Sequence, residues 1–168
     1  MTRVIIIDDA PLFTAGMSAA LENAGFEVVG TAEGALAGVQ VAKEQQPDLI
    51  VLDVLMPGIS GLEVVDKLIA AAPETKVVLL TASESEEDLL KAIKAGSVGY
   101  ITKTTPLPQL VSAMKDVMTG GAVISPAMGM KLFETVAQML RHRDVVVGRK
   151  PALTGREIEV LQAVAQGR

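Results

Sequence analysis

Val4-Ile5-Ile6-Ile7-Asp8-Asp9 decides the fold of this chain. Four consecutive aliphatic residues without polar alternation fit a strand covered on both faces. Two acids then stand directly at its end. The same kind of run recurs at Val28-Val29, Leu49-Ile50-Val51-Leu52, Val77-Val78-Leu79-Leu80 and Gly99-Tyr100-Ile101. Between these runs lie stretches of helix length. Phe13, Met17, Ala20, Leu21 and Ala24 share one face before Gly25. Leu62, Val65 and Ile69 mark a helix that ends before Pro73. Ser83 and Glu86 have the spacing of a capping box ahead of Leu89, Leu90 and Ile93. Leu107, Leu110, Val111, Met114, Val117 and Met118 form the cleanest stripe, closed by Gly120-Gly121. The stretch from Gly34 to Gln46 is weaker, with Leu36, Val39 and Val41 among glycines, but its position calls for a crossover.

Strands alternating with helices imply an α/β fold, a parallel sheet wound with helices on both faces. Five strands whose first unit reverses direction give a doubly wound, flavodoxin-like sheet of order 2-1-3-4-5. Beyond Gly121 the pattern changes. Residues 126–141 read as one helix with Met130, Phe133, Val136, Ala137 and Leu140 on one side. Arg141 to Pro151 reads as a polar linker. A last helix is expected from the capping box Thr154-x-x-Glu157, with Ile158, Val160, Leu161 and Val164 as its apolar face. About 13 residues of helix cannot bury such a face alone. The sequence therefore reads as a body over 1–120, a helical linker over 121–152 and the opening of a second domain over 153–168.

Composition narrows the chemistry. The 168 residues are 49% hydrophobic but only 2% aromatic, so the core is aliphatic. There is no cysteine, which excludes disulfides, thiolate metal sites and thiol nucleophiles. A single histidine, His142, excludes a clustered-histidine metal site. No apolar run approaches the roughly 18 residues of a membrane span, and the N-terminus lacks signal-peptide architecture, so a cytoplasmic location is expected. The net charge of −5 hides an asymmetry: residues 1–120 are acidic and residues 121–168 basic, which suggests two regions with different partners.

The strand ends carry the functional signal. Asp8 and Asp9 follow the first strand, Asp53 the third, Thr81 the fourth and Lys103 the fifth. In a parallel sheet all these ends lie on one edge, and the first and third strands meet at the switch point where such folds bind ligands. Taken singly, Asp8 or Asp9 could cap the helix near Pro11, Thr81 could be an N-cap and Lys103 a solvated charge. Their convergence on one edge favours a site. Three carboxylates repel one another by several kcal/mol at about 4 Å, and a divalent cation relieves this. All-oxygen ligands favour Mg²⁺, with Mn²⁺ as the second candidate. A metal beside a carboxylate suggests phosphoryl transfer, with Asp53 as nucleophile and Lys103 and Thr81 on the phosphate oxygens.

These residues resemble a known family. Val4-Ile5-Ile6-Ile7-Asp8-Asp9, Asp53-Val54-Leu55-Met56-Pro57-Gly58 with Gly61, Thr81-Ala82, Ala95-Gly96, and Gly99-Tyr100 with Lys103 are similar, in this order, to the receiver domain of a two-component response regulator. Leu153-Thr154-Gly155-Arg156-Glu157-Ile158-Glu159-Val160-Leu161 and Ala165-Gln166-Gly167 resemble the opening of a LuxR-type (NarL/FixJ-like) helix-turn-helix output domain. The chain then reads as truncated inside that domain, before any recognition helix.

The resemblance implies roles. Asp53 is the phospho-acceptor. Asp9 and Asp53 ligate Mg²⁺ with the backbone carbonyl of Leu55, and Asp8 acts through water. Thr81 is the switch hydroxyl, Tyr100 the aromatic that rotates inward after it, and Lys103 the phosphate-pairing lysine. The implied partners are a sensor histidine kinase, a second copy in a homodimer, and DNA for the full-length parent though not through this chain; no membrane is implied. Two positions depart from the common pattern: Thr104 stands where many receivers have a proline, and Ser60 where an acid is common. Left open beside this reading are a receiver-only interaction module and a Mg²⁺-dependent aspartyl-nucleophile phosphatase. The phosphatase typically spaces two aspartates two residues apart after the first strand, a spacing that Asp8-Asp9-Ala10-Pro11 lacks. A flavodoxin proper would need a hydroxyl-rich phosphate loop there, and none is present.

Overall fold

The computed structural model describes residues 1–82, 85–147, 160 and 162–164. The expected strands form at Arg3–Ile7 (β1), Glu27–Ala32 (β2), Leu49–Asp53 (β3), Lys76–Thr81 (β4) and Gly99–Thr102 (β5). Between and after them run the helices Pro11–Asn23 (α1), Ala35–Gln45 (α2), Val65–Ala71 (α3), Glu86–Ala95 (α4), Leu107–Met118 (α5) and Pro126–Val147 (α6). The sheet is parallel, and its first five strands take the order β2-β1-β3-β4-β5. A sixth strand, Val123–Ile124 (β6), extends the edge beside β5. The expectation of five strands is corrected here. Two residues are too few to show a period, and only pairing of Gly99 with Val123 and Tyr100 with Ile124 defines the element.

The alternation of side chains along a strand divides the core. Ile5, Ile7, Ile50, Leu52, Val77 and Leu79 pack with Ala35 and Ala42 of α2, Leu68 of α3, Leu89 of α4 and Met128 and Leu132 of α6. Val4, Ile6, Leu49, Val51, Val78 and Leu80 pack with Met17 and Leu21 of α1 and Leu110, Met114 and Val117 of α5. β1, β3 and β4 are thus roofed on both faces, as their unbroken aliphatic runs require. Full burial of each such side chain is worth about 1.5–3 kcal/mol. The glycines that weaken the helical signal of α2 have a packing cause. A Cβ at Gly38 would meet Ile7 Cδ1 at 2.5 Å, so the bare backbone lets α2 approach β1 closely.

Four other expectations are revised. The helix anticipated from Leu62 onward is split: Gly61–Glu63 is a tight 3₁₀ turn, and α3 starts at Val65. The turn is pinned from Ser60, whose Oγ donates to Val54 O at 3.1 Å and accepts from Leu62 N at 3.2 Å. α4 begins at Glu86 and is capped by Ser85, whose Oγ accepts from Asp88 N at 3.3 Å; Ser83 lies outside the described residues. α6 continues to Val147, six residues beyond its expected end, because neither Gly nor Pro interrupts Arg141–Val147. The apolar side of α6 also differs. Met128 and Leu132 are buried, while Met130 and Phe133 are exposed. The capping box Thr154–Glu157 and the output-domain motif around it lie outside the described residues. Val160, Ala163 and Val164 are helical and pack toward Leu89, Ile124 and Gly129. Among the described residues, no helix is long and apolar enough to cross a membrane.

Candidate phospho-acceptor site

β1 and β3 are hydrogen-bonded neighbours, with Ile7 beside Leu52, so the residues that follow them emerge together at the C-terminal rim. Asp53 closes β3 and Asp8 and Asp9 leave β1. One carboxylate oxygen from each lies within 4.8 Å of the others. Asp8 and Asp53 are 2% and 3% exposed, whereas Asp9 opens to solvent. Asp8 does not cap α1. Its Oδ1 accepts from Ala10 N at 2.8 Å, and the N-cap residue is Ala10, which makes no side-chain bond.

Lys103 enters this cluster from the end of β5. Its Nζ is 2.8 Å from Asp8 Oδ2 and 3.5 Å from Asp53 Oδ2. The same ammonium sits 4.5 Å from the centre of the Phe13 ring, a cation–π distance. Phe13 was legible only as a core residue of α1; its place over a site lysine depends on how α1 leaves Pro11. The backbone of Lys103 is fixed by its N–H donating to Thr81 O at 2.8 Å. Beyond it, the Thr102 hydroxyl accepts from that of Thr104 and pairs with that of Thr105, each at 3.2 Å. Thr104 therefore takes part in a hydroxyl-braced turn at the position where proline is common.

Thr81 is buried at the end of β4, one residue past Leu80, the register partner of Asp53. The loop after Asp53 is equally fixed. Leu55 N donates to Asp53 Oδ1 at 3.1 Å, Val54 N to Leu80 O at 2.8 Å, and Gly61 N to Val54 O at 3.0 Å. A Cβ on Gly61 would stand 2.2 Å from Asp53 O, so only glycine fits against the Asp53 peptide. Ser60, at a departure from the family pattern, supplies the hydroxyl that ties this loop to its 3₁₀ turn.

The electrostatics follow from this crowding. Burial, with the charge of Asp8 second, pushes the Asp53 carboxyl up from 3.8 to about 6, and Lys103 and the Leu55 N–H pull it partly back. Burial draws the Lys103 ammonium down, but its hydrogen bond to Asp8 and the charges of Asp53 and Asp8 outweigh this and hold it above its ordinary value. Among the described residues, the Lys103 ammonium alone faces the three acids and does not balance them. The surplus negative charge and the all-oxygen donor set fit Mg²⁺.

Tyr100 belongs to β5. It is 1% exposed and packs in the cluster of Leu89, Ile124, Met128, Leu132 and Val160. A half-exposed ring with its hydroxyl in water is thereby excluded: the ring is interior in this conformation.

The response regulator receiver domain family matches residues 4–115. Over 166 residues, 98% of the chain, the sequence is 33% identical to the response regulator GacA of Pseudomonas aeruginosa, covering 76% of that protein. It is 34% identical to the nitrate/nitrite response regulator NarL of Escherichia coli K12 over the same share of the chain and 75% of NarL. Among solved structures, a LuxR-family two-component response regulator from Aurantimonas sp. SI85-9A1 superposes with a TM-score of 0.76 at 27% identity, over 82% of this chain and 99% of that one. The receiver domain of the putative response regulator NarL from Mycobacterium tuberculosis gives 0.67 at 32% identity, over 71% of this chain and 97% of that one. The chain thus belongs to the response regulator receiver family and is a two-component response regulator with LuxR-type relatives.

Proposed function

We propose that the chain is a phosphorylation switch in which Asp53 accepts a phosphoryl group from a sensor histidine kinase. The observation that carries this is the buried Asp53 carboxylate, held beside Asp8 and Asp9 and 3.5 Å from the Lys103 ammonium at the rim of the sheet. An Asp53 oxygen attacks the phosphorus of a phosphohistidine. The new O–P bond forms as the P–N bond breaks, and the imidazole leaves. Asp9, Asp53 and the backbone carbonyl of Leu55 would hold Mg²⁺, with Asp8 acting through water. The bound ion supplies charge neutralisation for the phosphoryl oxygens.

The remaining work belongs to the chain. Lys103 already lies between Asp8 and Asp53 and pairs with one phosphoryl oxygen; the Thr81 hydroxyl donates to another. The added charge of about −1 to −2 draws both residues inward. Tyr100 links that shift to α4 and α6, whose Leu89, Met128 and Leu132 share its cluster. The site works as a switch and not as a turnover enzyme. Its output is transcriptional. Residues 121–152 serve as the helical linker, and 153–168 belong to a LuxR-type DNA-binding domain.

Asp53→Asn tests the assignment. Incubation with radiolabelled acetyl phosphate and Mg²⁺ should label the native chain and leave the variant blank. Persistent labelling of the variant would refute Asp53 as acceptor.

A further inference from the structure

Lys103 carries its ammonium on a flexible stem, so a fixed root does not fix the tip. The root is held by the bond from Lys103 N–H to Thr81 O at 2.8 Å. The tip has three neighbours: Asp8 Oδ2 at 2.8 Å, Asp53 Oδ2 at 3.5 Å and the centre of the Phe13 ring at 4.5 Å. Two of the three come from one turn. Ala10 N–H donates to Asp8 Oδ1 at 2.8 Å and leaves Oδ2 for the ammonium. Ala10 also opens α1, its carbonyl accepting from Thr14 N–H at 3.0 Å, and Phe13 lies in that first turn. The ring is half-buried and packs against the core cluster that holds Met17, Leu110 and Met114. Its place is therefore set by the core and not by the lysine.

We infer that Phe13 is a positioning residue for phosphoryl transfer, its ring face holding the Lys103 ammonium beside Asp53 where a phosphoryl oxygen arrives. The role presupposes that Asp53 is the acceptor. The face of the ring is negative and attracts a cation, yet it offers no lone pair. An acid or an amide at position 13 would accept a hydrogen bond from the ammonium and compete with the incoming oxygen. A leucine there would pack against the same core without the attraction. The lysine side chain is 19% exposed, so its tip would then be freer to turn toward water. The ring thus adds a third hold that gives way without a hydrogen bond having to break.

The test uses the 168-residue chain, labelled by acetyl phosphate with Mg²⁺ in constant excess. Phe13→Leu should slow labelling by about threefold to tenfold, within the range of a cation–π contact. Phe13→Tyr keeps the ring and should label within about twofold of the native rate. Replacing Phe13 by pentafluorophenylalanine keeps the shape but reverses the charge of the face, and should slow labelling as leucine does. In a Lys103→Met background, slower throughout, Phe13→Leu should cause no further loss. Proton NMR should find the Lys103 ε-methylene shifted upfield by the ring in the native chain and not in Phe13→Leu. A native rate in the pentafluorophenylalanine chain overturns the inference, and so does equal slowing by Phe13→Leu with and without Lys103, which marks a packing role. A native chain that takes no label overturns the acceptor assignment and this role together. A native chain that labels, beside a Phe13→Leu variant that labels as fast, overturns this role alone.

Discussion

Lys103 Nζ lies 2.8 Å from Asp8 Oδ2, and that contact, more than the 3.5 Å approach to Asp53, anchors the only ammonium within the acidic cluster among the described residues. Removing one partner of a buried pair leaves the other charge uncompensated. Lys103→Met is expected to lower stability by about 2–3 kcal/mol at pH 7 in urea unfolding, because Asp8 then remains buried and charged beside Asp53. Lys103→Arg should recover part of the loss. Equal stability of the Met variant and the native chain would show the pair to be neutral.

The raised pKa of Asp53 sets a pH window. Its carboxyl titrates near 6 in the fold against 3.8 in the open chain, so the folded state holds the proton more tightly between these values. Stability contributed by this group is therefore present at low pH and falls as pH rises through about 4 to 6. Asp53→Asn removes the dependence. In metal-free buffer above pH 7 the variant should be more stable than the native chain by about 2–3 kcal/mol, with the difference vanishing near pH 4. A difference independent of pH would contradict the electrostatic origin.

Mg²⁺ should act in the same direction as removal of the charge. At 10 mM, against an affinity of about 1 mM, it should stabilise the native chain by about 1.4 kcal/mol, seen as a higher melting temperature that EDTA reverses. Asp9→Asn should blunt this shift while changing the metal-free melting temperature little, since Asp9 is exposed. A full Mg²⁺ response in that variant would remove Asp9 from the ligand set.

Gly61→Ala probes the loop rather than the charges. Its methyl group would press on the carbonyl oxygen of Asp53, and backbone on both sides has to move. The expected cost is about 1–3 kcal/mol, with slower labelling by acetyl phosphate even where folding is complete. Thermal melting and labelling rate measured together separate the two effects.

The site was legible because each of its residues follows a strand that announces itself. Ile7 and Leu52 end runs that only a doubly covered strand explains, so Asp8, Asp9 and Asp53 could be placed on one rim before any coordinates. Lys103 was placed there by the same rule, but its closer bond to Asp8 was not, since side-chain reach is settled by packing against Phe13. β6 was invisible because Val123 and Ile124 have no period of their own. α6 misled for a different reason. Its apolar residues wrap so far around the helix that pattern alone selects Met130 and Phe133 as readily as Met128 and Leu132, and only contact with Ile124 and Leu89 decides between them. Likewise Gly38 reads as a helix defect until Ile7 is seen beneath it.

The rung from Lys103 N–H to Thr81 carbonyl has a mechanical result. The peptides bearing the ammonium and the hydroxyl are bolted together, so neither can be repositioned alone. Inserting or deleting one residue between Ile101 and Lys103 would break this rung and carry the ammonium away from the Thr81 end of β4.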